Sequence, residues 1–127
     1  MRVHEHWHII ALEDLDSAKH LLSRPFMTAL FHIQQCAEKA LKSYLVLKKG
    51  SVKKNHDLVQ LINLCMEMDQ SFEELRPLAI DLNPYEVLGR YPDSSFKKLS
   101  KENMQKLIEQ TEYVFDFVTY RINKKLS

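Results

Sequence analysis

Three stretches of this chain group side chains in ways that chemistry uses. The first is His4-Glu5-His6-Trp7-His8, in which His4 and His8 stand one helical turn apart with a glutamate beside them, the pattern of a zinc-dependent hydrolase. A catalytic zinc also needs a third ligand and a buried helix that forms a cleft, whereas this stretch begins where a chain frays. It reads as a His-rich helix start, and no metal site is assigned to it. The second is Lys53-Lys54-Asn55-His56-Asp57-Leu58. A histidine beside two lysines can transfer a proton near neutral pH, and the plainer alternative is a helix-start residue that pins a loop by hydrogen bonding. Lys39 and Lys42 lie near it in type, as cations that could meet an anion, but together with Glu38 and Glu67 they equally suit a solvated helix face. The third is Tyr85-Glu86-Val87-Leu88-Gly89-Arg90-Tyr91-Pro92-Asp93. Arginine offers a planar fork to phosphate, and the two tyrosines offer faces on which a base can stack. The competing reading is a loop lock, with Arg90 paired to Asp57, Glu86 or Glu38 and Tyr91 packed down.

Helices must position these groups, because apolar residues recur at steps of three and four while strand-type alternation is nearly absent. A first helix is expected over about His4 to Ser23, with Trp7, Ala11, Leu15, Ala18 and Leu22 on one stripe. A second, about Pro25 to Lys49, has Ser23 and Pro25 as start signals and Gly50 as its stop, and should be central. Asn55 or Asp57 caps a third helix carrying Leu58, Leu61, Ile62 and Cys65, and Ser71 with Glu74 forms a capping-box pattern for a fourth, near whose beginning Pro77 must sit. Pro84, Gly89 and Pro92 make Asn83 to Ser95 a long loop. Ser100 caps a last helix with two apolar stripes, Leu107, Val114, Val118 and Ile122 on one and Tyr113, Phe117 and Tyr120 on the other, which predicts a second burial surface of the kind a dimer supplies. The fold class is therefore all-α, an up-and-down bundle of four to five helices with one long loop before the last, and residues 1–127 read as a single domain.

Eighteen Lys plus Arg against seventeen Asp plus Glu leave a net charge of +1, so no overall field gathers long nucleic acid or an anionic membrane, and any anion binding must be local. Cys36 and Cys65 both fall within apolar helical patterns, where thiols act as small buried hydrophobes, and a reducing, cytoplasmic setting is expected. No stretch approaches the roughly 18 apolar residues of a membrane span, and no signal-peptide core is seen near the start.

The block Ala29-Leu30-Phe31-His32-Ile33-Gln34-Gln35-Cys36-Ala37-Glu38-Lys39-Ala40-Leu41-Lys42 resembles the central helix of HEPN domains, the higher eukaryote and prokaryote nucleotide-binding type. His56-Asp57-Leu58 with Leu61 is similar to that family's third-helix start, and Arg90-Tyr91-Pro92-Asp93 to its loop motif; order and intervals agree over about Ile9 to Ile122. The resemblance implies a homodimeric helical bundle encoded beside a minimal nucleotidyltransferase in toxin-antitoxin modules, without cofactor or metal. Many such toxins are ribonucleases, with an arginine followed after four to six residues by a histidine. Here no histidine follows Arg90, Arg24 and His32 are too far apart, and Arg2 with His8 has the spacing but lies in the first helix. Two readings follow. His56 and Arg90 meet in space as acid-base group and phosphate electrophile of a metal-independent ribonuclease; or the groove edged by Lys39, Lys42, His56, Asp57, Tyr85, Arg90 and Tyr91 binds nucleotide, RNA or a partner without turnover, which is the reading favoured by the missing histidine. A purely structural adaptor is the third alternative.

Overall fold

Of all the expected helices, the second has the strongest reason to be central, since apolar positions recur along its whole length. In the computed structural model, which describes residues 2–20, 26–83 and 101–126, it runs Phe26–Lys49 (α2). Ala29, Leu30, Ile33, Cys36, Ala37, Ala40, Leu41, Tyr44 and Leu45 on it are all buried. The first helix, Val3–His20 (α1), packs on α2 more extensively than any other element. Ala11 and Ala18, fully buried on α1, keep the two backbones close, and Leu15 shares their face. Trp7 is only half-buried. Gly50 ends α2 with φ 84°, a left-handed conformation that costs glycine nothing, and its N–H donates to the Val46 carbonyl over 2.8 Å.

The chain then turns into α3 (Leu58–Met66), whose N-terminus is capped by Asp57. The expected fourth helix is divided. A 3-10 segment, Gln70–Leu75, precedes a short α4, Arg76–Leu82, with Pro77 in its first turn. The cap is Asp69 and not Ser71: the Asp69 carboxylate accepts from the Ser71 N–H at 2.9 Å and from its hydroxyl at 2.6 Å. This tighter start turns Phe72 and Leu75 into the core, Phe72 lying 4.5 Å from Tyr44 and 5.2 Å from Phe117 between ring centroids. The last helix, Lys101–Leu126 (α5), packs against α2 and α1. Its expected second stripe is also divided. Phe117 is buried under Phe72 and the Arg121 guanidinium, while Tyr113 and Tyr120 are exposed. The 3-10 segment covers Phe117, and nothing in the local spacing of α5 announces that. Ser23, Pro25, Ser100 and the expected loop after Asn83 lie outside the described residues.

Buried side chains of all these elements form one cluster, and no strand occurs among the described residues. Cys36 and Cys65 are buried in it as free thiols, and burial pushes the pKa of both upward. No described helix is long and apolar enough to cross a membrane.

At the α1–α5 seam His8 stacks on Phe115 with ring centroids 4.9 Å apart, and its Nε2 lies 2.9 Å from the Thr119 hydroxyl. Thr119 donates its single proton to the Phe115 carbonyl, so His8 Nε2 must be the donor to Thr119. Burial first, and the neighbouring His4 second, hold the His8 pKa below the ordinary histidine value. A histidine depressed in this way gives stability that is full above its unfolded value of about 6.5 and is lost as pH falls toward the folded value. We therefore expect the urea midpoint of the wild type to fall more steeply than that of His8→Gln as pH is lowered from about 7 to about 5; parallel curves would show that His8 is not the group responsible.

Candidate functional site

Glu38 is the least expected buried group in the molecule. It sits on α2 between the apolar positions Ala37 and Leu41 and is 2% exposed. A carboxylate there must be matched by charge and hydrogen bonds or it would destabilise the fold by several kcal/mol. Lys42, one turn on and 4% exposed, donates to Glu38 Oε2 at 3.0 Å. The Oε1 atom accepts from His56 Nδ1 at 3.0 Å and from the Gln34 amide at 3.4 Å. Gln34, fully buried, also donates to the His56 carbonyl at 3.3 Å, and its own carbonyl accepts from Gln35 at 2.8 Å. Lys42 Nζ lies 5.4 Å from the centroid of the Trp7 ring, which brings α1 into the same network. Among the described residues no buried side-chain polar atom lacks a partner.

The turn that presents His56 is held as firmly from its other side. Asp57 Oδ1 accepts from the N–H groups of Val59 at 3.0 Å and Gln60 at 3.4 Å, capping α3. Asn83, at the end of α4, donates to Asp57 Oδ1 at 3.0 Å and accepts from the Leu58 N–H at 2.8 Å. Asn55 accepts from the Asp57 N–H at 2.9 Å and donates to Gln60 at 3.1 Å. His56 is thus tethered by its backbone to Gln34 and by its ring to Glu38, while 40% of its side chain faces solvent.

An ionised carboxylate only accepts, so the proton on the bonded edge of His56 belongs to Nδ1, and in the neutral ring Nε2 is the free acceptor. That is the orientation a general base requires, and it equally suits an imidazole that accepts a hydrogen bond from a bound molecule.

The structure joins His56 and Lys42 of the expected site through Glu38 and gives Lys39 and Asp57 other partners. Lys39 points to α1, where Asp14 accepts from it at 3.4 Å and from His32 Nδ1 at 2.8 Å. Asp57 serves the helix cap. Tyr85, Arg90 and Tyr91 lie outside the described residues. The solvated-face alternative is overturned at Glu38 and Lys42 of α2, both buried, and holds for Glu67 at the end of α3, which is exposed and 3.2 Å from Lys49. Gln34 and Asn83 belong to the network although sequence reasoning does not single them out. A signal for the first exists: Gln34, Glu38 and Lys42 follow at intervals of four and run beside the apolar row Ile33, Ala37, Leu41 and Leu45, so the polar row borders the buried face. At the His-rich start His4 is buried, and among the described residues no three His, Cys, Asp or Glu side chains group as a metal site would need.

A family model described as the HEPN domain matches residues 4–124. A protein of Methanocaldococcus jannaschii described as "Putative toxin MJ1304" is 30% identical over 130 residues, covering 91% of this chain and 85% of its own. Two solved structures share the fold. TT1696 from Thermus thermophilus superposes with a TM-score of 0.76 at 22% identity, covering 94% of this chain and 98% of that one. ST0689, described as an archaeal HEPN homologue, gives 0.74 at 23% identity, with 96% and 99% covered.

Breaking the buried pair on one side leaves an uncompensated charge. Lys42→Met should therefore lower the unfolding free energy by about 3–5 kcal/mol, and adding Glu38→Gln to it should recover much of that loss; urea denaturation of the single and double variants measures both. A double variant no more stable than Lys42→Met would show that lost packing, not the stranded carboxylate, sets the cost.

Proposed function

The chain belongs to the HEPN domain family, and from that membership we propose that it is the toxin-like component of a two-protein module, acting as a homodimer in the cytoplasm beside a minimal nucleotidyltransferase partner. Its binding face centres on His56, with Arg90, Tyr85 and Tyr91 of the segment after Asn83 as the other contacts to a nucleotide or to the partner. Similarity to a protein described as a "Putative toxin" supports the toxin-like role. The observation that carries binding without turnover is the engagement of Lys42 and Lys39, the two lysines of the expected site: Lys42 is buried against Glu38 and Lys39 is held by Asp14. Neither stands ready to take up the charge that develops on a phosphorane. The site needs no metal or cofactor for recognition of this kind.

A second reading, a metal-independent endoribonuclease, is favoured by one feature, the Glu38–His56 pair with Nε2 left open. In that chemistry His56 accepts the proton of a ribose 2′-hydroxyl as its oxygen bonds to phosphorus, and the bond to the 5′-oxygen breaks, with Arg90 facing the charged oxygens.

The deciding measurement is cleavage of a labelled single-stranded RNA in EDTA by wild type, His56→Ala and Arg90→Ala. We expect no cleavage by any of the three, together with co-purification of the wild type with its co-expressed nucleotidyltransferase and a loss of about tenfold or more in that affinity in the variants. EDTA-resistant cleavage present in the wild type and lost in both variants would transfer the chain to the ribonuclease reading.

A further inference from the structure

The end of α2 and the turn after it carry a local excess of positive charge. Lys48, Lys49, Lys53 and Lys54 fall within seven residues that contain no acid. Lys48 lies over the Tyr44 ring, 5.6 Å from its centroid, and Lys49 is paired with the exposed Glu67. Lys53 and Lys54 are exposed, and no carboxylate of the described residues pairs with either. Beneath them the turn does not close onto the bundle. A cavity of about 360 Å³ remains between the end of α2 and the middle of α3, floored by Leu45, Val52 and Leu64 and rimmed by Lys49, Ser51 and Lys53. Ligand pockets begin at roughly 300 Å³ and combine an apolar lining with a few polar groups at the mouth.

We propose that this cavity is a binding site for a small organic phosphate of mononucleotide size, its flat apolar body on Leu45, Val52 and Leu64 and its phosphate on Lys53 and Lys49. The volume sets the size, the floor sets the apolar body, and the lysines at the mouth set the anionic group. Lys53 donates from three directions and has no carboxylate partner among the described residues, and Lys49 exchanges Glu67 for the phosphate. Lys48 and Lys49 in the last turn of α2 offset the negative end of that helix, and Glu67 is the carboxylate that a bound phosphate displaces from Lys49. The site is distinct from the Glu38–His56 pair but lies on the same turn, since Lys53 precedes His56 by three residues. It rests on the binding reading for the class of its ligand and adds to it a location.

AMP, adenosine and inorganic phosphate, titrated separately into 15N-labelled wild-type protein, test the site, with Lys53→Glu and Val52→Asp as variants at exposed or half-exposed positions. AMP is expected to shift amide resonances of residues 45–64 saturably and to bind at least tenfold more tightly than adenosine or phosphate, because only AMP uses both floor and rim. Each variant should weaken AMP at least tenfold, and raised salt should weaken it further. AMP binding unchanged in both variants but lost in His56→Ala would overturn the location while leaving the binding reading intact. An absence of saturable shifts with AMP at millimolar concentration would overturn the site outright, and partner co-purification would then still report separately on the binding reading.

Discussion

A carboxylate buried on the central helix organises more of this molecule than any apolar residue does. Glu38 cannot be left alone, because an unmatched charge at 2% exposure would erase much of the stability of a domain this size. Each group that matches it therefore has its position dictated. Lys42 must lie back along α2 and under Trp7, Gln34 must turn its amide toward the same oxygen, and the chain after Gly50 must return so that His56 reaches Oε1. The return is what places Asp57 at the start of α3 and brings Leu58 to the Asn83 side chain. A hydrophobic contact tolerates sliding; this arrangement does not, because Oε1 and Oε2 each demand a donor at hydrogen-bond distance. The register of α3 against α2 is thus set by polar geometry inside an apolar core, a role for which buried polar groups are suited when every member is satisfied.

The same constraint has a chemical consequence. By holding Nδ1, Glu38 selects one tautomer of His56 and turns Nε2 outward, so a residue that anchors the turn also presents a defined acceptor at the surface. Stability and presentation need not compete here, since they use opposite edges of one ring. This histidine stands before the third helix, not after the arginine of the loop motif. The departure from the Arg-His spacing found in many ribonucleases of the family is therefore a change of element as well as of interval, and Lys42 and Lys39 of α2 are already bound to carboxylates.

Much of the fold was legible because its signals are local. The spacing from Ala29 to Leu45, the stop at Gly50, the Asp57 cap and the apolar run of α3 each act within one or two turns, and the structure shows each of them. Where the reading failed, the cause lay across the chain. Ser71 has the residue type of a helix cap, but Asp69 two positions earlier takes its proton, and a 3-10 turn results. Phe117 has the spacing of an outward stripe but is covered by Phe72, forty-five residues away in sequence. Glu38 and Lys42 have the (i, i+4) spacing of a surface ion pair, and only Trp7 of α1 over Lys42 and the return of His56 to Glu38 make the pair internal. Of the candidate site, His56 could be singled out by type and context; its carboxylate partner could not, because the distance that matters spans eighteen residues.

That turn also explains why lysines cluster where they do. One end is set by the left-handed Gly50 and the other by the His56–Glu38 and Asn55–Asp57 bonds, which leaves Ser51 to Lys54 as a span too short to fold back on itself and too polar to fill the gap beneath it. Val52 alone turns inward, half-buried, while Lys53 and Lys54 face out. The cavity persists because the two anchored ends prevent collapse, and its mouth is cationic because the residues that cannot turn inward are lysines; an apolar floor under a lysine-bearing rim then follows from how the ends of one turn are tied.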